Sequence, residues 1–360
     1  MKLKTKAFLF YLGHPAHYHN ISVVIQQLSE QGCRIVLVAR GKDVLFQLLE
    51  GLPYEISYLP PKKGTGKLSL ITTVIKREFI LFRLALKYKP LVLVGTDIVI
   101  THVGKLLGIP SIILNEDDAH EVPFLAKFGF KYATAVFSPN SCDISPYEYK
   151  KIGYNGYHEL AYLHPNYFHP DKHKIQDLLV DGSKYFILRF AELTAHHDEG
   201  KKGIDLTLAL QIIEKLSPFG RVYITSEREL TPELERYRIK IHPKHIHHAL
   251  YFASMYIGDS QTMAAEAAVL GTPSIRFNDF VGKLGYLEEL EHQYHLTIGI
   301  PTHQPELLLA KIDELLANPS LQSIFQQRKE EMLKNCEDVA NLWFNYLLTC
   351  SKTGFKTINE

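Results

Sequence analysis

The chain has 360 residues, a length that suggests two domains. Hydrophobic residues make up 46% of it and charged residues 22%, a composition that is ordinary for a globular protein and argues against disorder. The 40 basic and 39 acidic residues leave a net charge of +1, so a nucleic-acid binder held by bulk positive charge is disfavoured.

The first part of the chain alternates short apolar runs with stretches of helical periodicity. Strands are predicted at residues 7–12, 34–39, 54–58, 91–94, 111–114 and 133–137. Helices are predicted at 44–49, 68–88 and 98–107, and another is expected to begin at Asn20 as its N-cap, after a loop at residues 13–20. Such alternation is typical of βαβ units, in which helices cover both faces of a parallel sheet.

Residues 138–183 are rich in Pro, Tyr, Asn and His, and we predict the interdomain linker there. The alternation then restarts, with strands predicted at 185–190, 221–225, 255–257 and 274–277. Helices are predicted at 205–216, 232–237, 246–252, 261–270, 306–317 and 321–348, the last with a break near Asn335, before a frayed tail at 351–360. The pattern predicts the α/β class, with two doubly wound parallel sheets facing each other across a cleft. Ligands of such sheets bind beyond the carboxyl ends of the strands.

Neither a targeting segment nor a membrane span is predicted. The apolar run at 7–12 is too short for a signal peptide, and charged residues interrupt the longest apolar stretch, 71–86. Four scattered cysteines fit neither a disulfide scaffold nor a CxxC zinc site, which indicates a reducing compartment. We therefore expect a cytoplasmic protein. The basic face of the predicted helix 68–88 is compatible either with peripheral contact at the inner face of the membrane or with a solvated surface.

The strongest motif is GDSQTMAAEA at residues 258–267, followed by LGTP. Asp259 or Ser260 is a suitable N-cap for a short helix of small residues. The free N–H groups and the dipole at such a helix start stabilise a phosphate. Thr262 and Glu266 lie four residues apart on one helix face, so Glu266 is placed at about the distance of a ribose. The alternative is a tightly packed alanine-rich helix with a solvated Glu266.

This segment resembles the nucleotide-binding helix of GT-B fold enzymes, which include many glycosyltransferases and the non-hydrolysing UDP-GlcNAc 2-epimerases. The resemblance implies that Ser260, Gln261 and Thr262 contact the diphosphate and Glu266 the ribose, with Gly258 and Asp259 in the same binding segment. Many retaining GT-B transferases carry a second Glu eight residues before the ribose-binding one. Gly258 stands at that position here, so the double-Glu pattern is incomplete.

The second unit opens with two further candidates. Arg189 ends a predicted strand, and Lys202 lies in a KGID stretch. The GT-B resemblance implies that this pair neutralises the leaving diphosphate, a task that preorganised cations perform without a metal. The alternative for Lys202 is a surface lysine beside a turn. Between them, TAHHDEG is similar to the TAH stretch of the 2-epimerases, which implies a catalytic role for His196; a mobile polar loop is the alternative.

The segment GHPAHYHN follows the first predicted strand. GT-B transferases often place a histidine here as the base that deprotonates the acceptor, and imidazole suits that task near neutral pH. His17 and His19 are the candidates, with Gly13 near the nucleotide sugar. Capping and loop packing are the alternative. Three histidines could also bind zinc, but their spacing is not that of a helix-borne site.

Acidic residues follow two other strands of the first unit, in GTD at 95–97 and NEDD at 115–118. Epimerases of this fold carry catalytic acids in these places, which implies Asp97 and Glu116 here. The acids could instead recognise sugar hydroxyls or form a solvated turn. Two clusters are less informative: residues 153–159 could line the cleft floor or form a hinge, and 242–248 could stack on the base or form a polar helix start.

The GHPAH opening, TAHHDEG and GDSQTMAAEA together resemble the family called domain of unknown function 354, within the GT-B superfamily. The resemblance implies an acceptor-side domain at 1–165, a nucleotide-sugar-binding domain at 166–335, and a C-terminal helix at 336–350 that packs back on the first domain. It implies a metal-independent, cofactor-free glycosyltransferase with a UDP-linked donor and a sugar or lipid-linked acceptor, in surface polysaccharide or glycoconjugate synthesis. The alternatives are a UDP-GlcNAc 2-epimerase-like enzyme and a non-catalytic sugar or nucleotide sensor.

Overall fold

A computed structural model describes residues 6–41, 43–60, 67–191 and 203–353. The chain divides into two compact units, of which unit 1 comprises Met1–Tyr162 with Glu337–Glu360 and unit 2 comprises Leu163–Cys336. The sequence analysis placed the domain boundaries at 165/166 and 335/336. The candidates His196 and Lys202 lie outside the described residues.

Unit 1 contains a parallel sheet of seven strands in the order β3-β2-β1-β4-β5-β6-β7. Its strands are β1 (Ala7–Leu12), β2 (Arg34–Arg40), β3 (Glu55–Leu59), β4 (Val92–Gly95), β5 (Ser111–Leu114), β6 (Ala135–Pro139) and β7 (Lys151–Tyr154). All six residues of β1 are buried, because β1 is central and helices cover both faces of the sheet. The strand order reverses between β1 and β4, which pair in register at Leu9 and Leu93.

Unit 2 contains a parallel sheet of five strands in the order β12-β11-β10-β8-β9. Its strands are β8 (Tyr185–Phe190), β9 (Arg221–Ser226), β10 (Met255–Gly258), β11 (Ser274–Phe277) and β12 (Thr297–Ile300). The strand order reverses between β8 and β10, where Gly258 pairs with Arg189. Both units are therefore doubly wound, and each has one topological switch point, as the alternating sequence pattern predicted.

The connections between the strands are mostly helical. The α-helices are α1 (Pro15–Glu30), α2 (Asp43–Leu49), α3 (Lys67–Tyr88), α4 (Ile98–Leu107), α5 (Pro123–Leu125), α6 (Leu160–Leu163), α7 (Leu206–Leu216), α8 (Pro232–Glu235), α9 (Ile246–Phe252), α10 (Gln261–Val269), α11 (Gly285–His292), α12 (Pro305–Leu316), α13 (Leu321–Asn335) and α14 (Val339–Thr353). A π-helical turn covers Ala126–Phe130, and short 3₁₀ segments cover Glu148–Lys150, Lys172–Leu178, Val180–Gly182 and Pro243–His245. No helix within the described residues is both long enough and apolar enough to cross a bilayer.

The C-terminal helix α14 packs within unit 1 against α1. Its Trp343 is buried and stacks on Phe137 of β6, with 5.6 Å between the ring centroids. Tyr154 at the end of β7 meets the same indole edge-on at 5.9 Å. The predicted break near Asn335 is confirmed, since α13 ends there and α14 begins at Val339. Residues 351–353 belong to α14, so the predicted fraying does not begin at 351.

The structure differs from the sequence analysis in three places. Asn20 does not cap the first helix, because α1 begins at Pro15 and His14 is the cap, its Nδ1 accepting a hydrogen bond from the Ala16 N–H at 3.3 Å. Proline at the first helical position favours this early start. The boundary between the units at 162/163 lies within the predicted linker, 138–183, but this stretch also contains β7, an edge strand whose mixed burial leaves no apolar run to detect. The sequence analysis missed strand β12, which contains a glycine. It also missed helix α11, which begins with a glycine and carries three glutamates.

Candidate functional site

The switch point of unit 2 brings the ends of β8 and β10 together beside the start of α10. Ser260 is the N-cap of α10, and its Oγ accepts from the Met263 N–H at 3.4 Å. Gln261 is held in place because its Oε1 accepts from Nδ2 of the buried Asn278 at 2.8 Å. Thr262 follows in the first turn and is half-buried. The helix start therefore combines a fixed polar side chain with the amides and dipole that favour an anion.

Gly258 permits a close approach at this switch point. A Cβ at residue 258 would lie 2.5 Å from the Tyr256 hydroxyl and 2.7 Å from the Arg189 Cβ. Both distances are shorter than a van der Waals contact, so only glycine fits without movement of β8 or β10. The residue that breaks the double-Glu pattern of retaining GT-B transferases is thus required by packing between these strands.

Asp259 is buried and ties together the segments that flank the switch point. Its Oδ1 accepts from the Ala191 N–H at 2.6 Å, and its Oδ2 from the Ile204 N–H at 3.3 Å. Nη2 of Arg228 lies 3.3 Å from the same Oδ2. Burial raises the pKa of this carboxyl, while the two amides and the guanidinium act in the opposite direction. Asp259 is a positioning residue, and of the two predicted caps the structure uses Ser260.

Arg189, the predicted cation of this site, already holds two partners. Its Nη1 donates to Thr225 Oγ1 at 2.9 Å, and its Nη2 donates to Glu227 Oε1 at 2.5 Å. Arg228 was missed by the sequence analysis, although it lies just beyond β9. Its guanidinium lies 5.0 Å from the centroid of the Phe190 ring, and its side chain is 37% exposed. Arg228 is thus the more accessible of the two cations at the switch point.

Glu266 is buried in the middle of α10, which excludes the solvated alternative. Its Oε1 lies 2.9 Å from Nε2 of the buried His247. His247 belongs to the 242–248 cluster, and its position on α9 directs it at α10. The neighbouring His248 accepts from the Asp171 N–H at 3.1 Å, and burial lowers its pKa to about 4. Both histidines lie in the first turn of α9, so residues 242–248 do form a helix start, and both rings are buried against neighbouring parts of unit 2.

The switch point of unit 1 gathers the ends of β1 and β4. His17 Nδ1 accepts from the Gly13 N–H at 3.1 Å, and the Thr96 hydroxyl lies 2.7 Å from Nδ1 and 3.0 Å from Nε2. Asp97 caps α4 through the Val99 N–H at 3.1 Å. The structure therefore brings together three predicted residues, Gly13, His17 and Asp97, but places His17 in the first turn of α1 instead of in a loop.

Charged and phenolic groups surround Asp97. Arg40 follows β2, and its Nη1 lies 3.5 Å from the Asp97 Oδ2. Burial of the Tyr11 hydroxyl, together with the negative charge of Asp97, raises the pKa of the phenol. Arg77 of α3 is buried close by, and its desolvation lowers the pKa of its guanidinium. A proton-accepting ring and a carboxylate balanced by cations thus occupy the same strand ends.

A second polar group in unit 1 follows β5. Glu116 Oε2 lies 3.4 Å from Nδ1 of His158, and the same Nδ1 lies 3.3 Å from the Asn20 side-chain amide. Burial lowers the His158 pKa to about 3, so this ring is neutral at physiological pH. His19 stacks on Tyr162 at 5.4 Å between ring centroids. The sequence analysis assigned 153–159 to a cleft floor or a hinge and did not pair His158 with Glu116.

One set of potential metal ligands lies close together among the residues that the structure describes. Glu288, Glu291 and His292 have ligand atoms within 4.8 Å of one another. Both carboxylates, however, accept from Nη2 of the buried Arg276 at 2.7 Å. The guanidinium already balances the two negative charges, which disfavours a divalent cation in the same place. That no metal takes part in the chemistry stays a prediction.

Comparisons with known proteins agree with the two doubly wound units. The family model described as protein of unknown function (DUF354) matches residues 10–350. No curated protein matches the sequence. Among solved structures, the UDP-GlcNAc 2-epimerase from Neisseria meningitidis bound to UDP-GlcNAc has a TM-score of 0.63 at 12% identity, with 95% of this chain and 100% of that chain covered.

Two further structures show the same similarity. The UDP-GlcNAc 2-epimerase from Methanocaldococcus jannaschii has a TM-score of 0.60 at 12% identity, covering 95% of this chain and 99% of that one. The spinosyn rhamnosyltransferase complexed with thymidine diphosphate has a TM-score of 0.62 at 12% identity, covering 94% and 98%. The predicted fold class and family are confirmed. The chain belongs to the family of proteins of unknown function DUF354 and has the two-domain, Rossmann-like GT-B fold.

Proposed function

We propose that this chain is an enzyme acting on nucleotide-diphosphate sugars, and specifically a metal-independent glycosyltransferase with a UDP-linked donor. The observation that carries the proposal is the unit 2 switch point, where the Ser260-capped start of α10 lies beside two arginines at the ends of neighbouring strands. The fold is shared with an epimerase bound to UDP-GlcNAc and a rhamnosyltransferase complexed with thymidine diphosphate. The product would serve surface polysaccharide or glycoconjugate synthesis, with a sugar or lipid-linked acceptor.

The diphosphate would bind at the first turn of α10. Ser260, Gln261 and Thr262 offer amides and polar side chains there, and the helix dipole adds to their effect. The Asn278 contact orients the Gln261 amide, so that its Nε2 remains a donor. Gly258 and Asp259 act indirectly, the first by permitting the close approach of β8 and the second by fixing Ala191 and Ile204.

The leaving diphosphate gains negative charge as the sugar departs, so preorganised cations stabilise the transition state. Arg189 and Lys202 were predicted for this role. We propose that Arg228 also stabilises the leaving diphosphate, because its side chain is 37% exposed, whereas that of Arg189 is only 12% exposed. Glu266 would accept hydrogen bonds from the ribose hydroxyls, with His247 holding its other side.

The acceptor base would come from unit 1. His17 is the better candidate of the predicted pair, because the Thr96 hydroxyl and the Gly13 amide fix the orientation of its ring. His19 is stacked on Tyr162 and supports packing instead. Because the Gly13 N–H donates to Nδ1, the neutral ring carries its proton on Nε2. Nδ1, which the Thr96 hydroxyl reaches at 2.7 Å, is therefore the atom that would take the proton of an acceptor hydroxyl bound in the place of Thr96.

The second candidate is a sugar-nucleotide epimerase, and the placement of Glu116 favours it. Glu116 follows β5 beside a neutral His158, and Asp97 follows the adjacent strand β4. Two carboxylates at neighbouring strand ends could add and remove protons during an epimerisation. His196 would assist in that reaction.

The two reactions differ in whether they require an acceptor. We expect UDP-GlcNAc or a related donor to release UDP only when an acceptor sugar or lipid is present, as followed by mass spectrometry. His17→Ala should abolish this transfer, whereas His14→Ala, which removes the helix-capping imidazole, should retain it. Conversion of the sugar without any acceptor, lost in Glu116→Gln, would instead establish the epimerase. If neither reaction occurs and UDP does not bind, the proposed function is wrong.

A further inference from the structure

The outer side of α3 exposes apolar side chains in a row. Ile75, Phe79 and Leu86 are 57%, 62% and 51% exposed, and they lie four and seven residues apart, which places them on one helix face. Single exposed apolar residues are ordinary on a protein surface, but a continuous apolar strip marks an interaction site.

The strip continues onto two neighbouring elements of unit 1. His102 of α4 links α3 to the π-helical turn, because its Nδ1 lies 2.6 Å from Glu78 Oε1 of α3 and its Nε2 lies 2.9 Å from the carbonyl oxygen of Phe128. One turn beyond His102, Leu106 is 73% exposed. The exposed rings of Phe124 and Phe128 lie 4.9 Å apart. We call these six apolar residues, three on α3 and three on its neighbours, the α3 face.

Positive charge surrounds the α3 face. The exposed basic side chains on the same elements are Lys76, Arg83, Lys87, Lys105 and Lys127. The sequences of α3, α4 and residues 123–130 contain one acidic residue, Glu78, which is ion-paired with His102. A surface that is both apolar and strongly basic is complementary to a layer that presents anionic groups above an apolar interior.

We propose that the α3 face binds the surface of a membrane that contains anionic lipid. The aromatic and aliphatic side chains enter the boundary between headgroups and acyl chains, while the lysines and the arginine at their edges extend to the lipid phosphates. The α3 residues of this face are on the exposed side of the helix, whereas Arg77, the residue of α3 that lies near Asp97, is buried. The proposal therefore stands independently of the sugar-nucleotide chemistry.

The test is co-sedimentation of the full chain with vesicles of phosphatidylcholine alone or of phosphatidylcholine with one quarter phosphatidylglycerol. The wild-type protein should bind the anionic vesicles, and added salt should release it. The triple variant Ile75→Ser/Phe79→Ser/Leu86→Ser should lose at least about tenfold in affinity, since three apolar contacts are removed. Lys76→Gln/Arg83→Gln/Lys87→Gln should lose about fivefold for each charge.

The matched control is Leu206→Ser/Leu210→Ser/Phe219→Ser, which removes three exposed apolar residues of unit 2 and should leave binding unchanged. Circular dichroism verifies that each variant is folded. The proposal is overturned if wild-type protein stays in the supernatant with anionic vesicles, or if the two serine variants bind equally. Concentration-dependent dimers that disappear only in the α3 variant would likewise overturn it, in favour of a second copy of this chain.

Discussion

The two switch points are built from different chemistry. In unit 2, ion pairs and a glycine hold the strand ends, and the buried Asp259 accepts from two backbone amides and pairs with Arg228. In unit 1, half-buried imidazole, hydroxyl and carboxyl groups meet at the strand ends, with His17 between Gly13 and Thr96. Similar architecture therefore yields a rigid edge in unit 2, which we propose to bind the diphosphate, and an edge of titratable groups in unit 1, which we propose to transfer the proton.

Removing the carboxylate of Asp259 should lower the stability of unit 2, because this carboxylate holds the strand ends together. Asp259→Ala removes the acceptor of the Ala191 and Ile204 amides and the carboxylate partner of Arg228, so we expect a loss of about 2–4 kcal/mol in the free energy of unfolding. Urea denaturation followed by far-ultraviolet circular dichroism measures the change. The control is Asp205→Ala, which removes only the cap of α7 and should cost about 1 kcal/mol. Equal losses in the two variants would contradict the role assigned to Asp259.

Acid should weaken unit 1 through His158. Because burial lowers its folded-state pKa from 6.5 to about 3, the unfolded chain takes up the proton first as the pH falls. The stabilisation is complete above pH 6.5 and should decline by up to about 1.4 kcal/mol for each pH unit toward pH 3. The single tryptophan, Trp343, lies 5.1 Å from His158 between ring centroids, so its fluorescence in urea reports on this unit.

The matched variants are His158→Gln and His120→Gln, of which the second lies on the surface of the same unit. His158→Gln should flatten the dependence of the urea midpoint on pH between 6.5 and 4, and His120→Gln should retain it. A slope that persists in His158→Gln would assign the acid sensitivity to another group.

Gly258 and Gly13, at the switch points of unit 2 and unit 1, show how tightly each set of strand ends is packed. Gly258→Ala forces a Cβ to within 2.9 Å of the Arg189 carbonyl oxygen, and overpacking of this kind costs about 1–3 kcal/mol. Gly13→Ala meets its nearest atom, His17 Cε1, at 3.4 Å and should change the free energy of unfolding by less than about 1 kcal/mol. Thermal denaturation compares the two, and a larger effect at Gly13 would reverse the assignment of the rigid edge.

The sequence predicts those parts of the molecule that local pattern determines. Strands such as β5, β8 and β11 were placed without error because each is an apolar run between turn residues. The small-residue helix α10, with its cap at Asp259 or Ser260, followed from side-chain chemistry alone, and the structure uses Ser260. Edge strand β7 has no such run, and its pairing with β6 depends on the whole sheet.

Partners that come from distant parts of the chain could not be predicted in the same way. Arg228 meets Asp259 across 31 residues, and Asn20 meets His158 across 138. Neither pair follows a sequence spacing, because each depends on which strands become neighbours. For the same reason, the sequence indicated a solvated or ribose-bound Glu266 but did not reveal His247 as its partner.

The most direct test of the anion-binding edge is a calorimetric titration of Thr262→Glu with UDP. A carboxylate in the first turn of α10 favours the helix, so the fold is retained, but it repels a diphosphate at that helix start. The control is Thr207→Glu, at the equivalent second position of α7 in the same unit. We predict that UDP binds the wild type and the control equally, and binds Thr262→Glu at least about tenfold more weakly; unchanged affinity in Thr262→Glu would contradict the placement of the nucleotide.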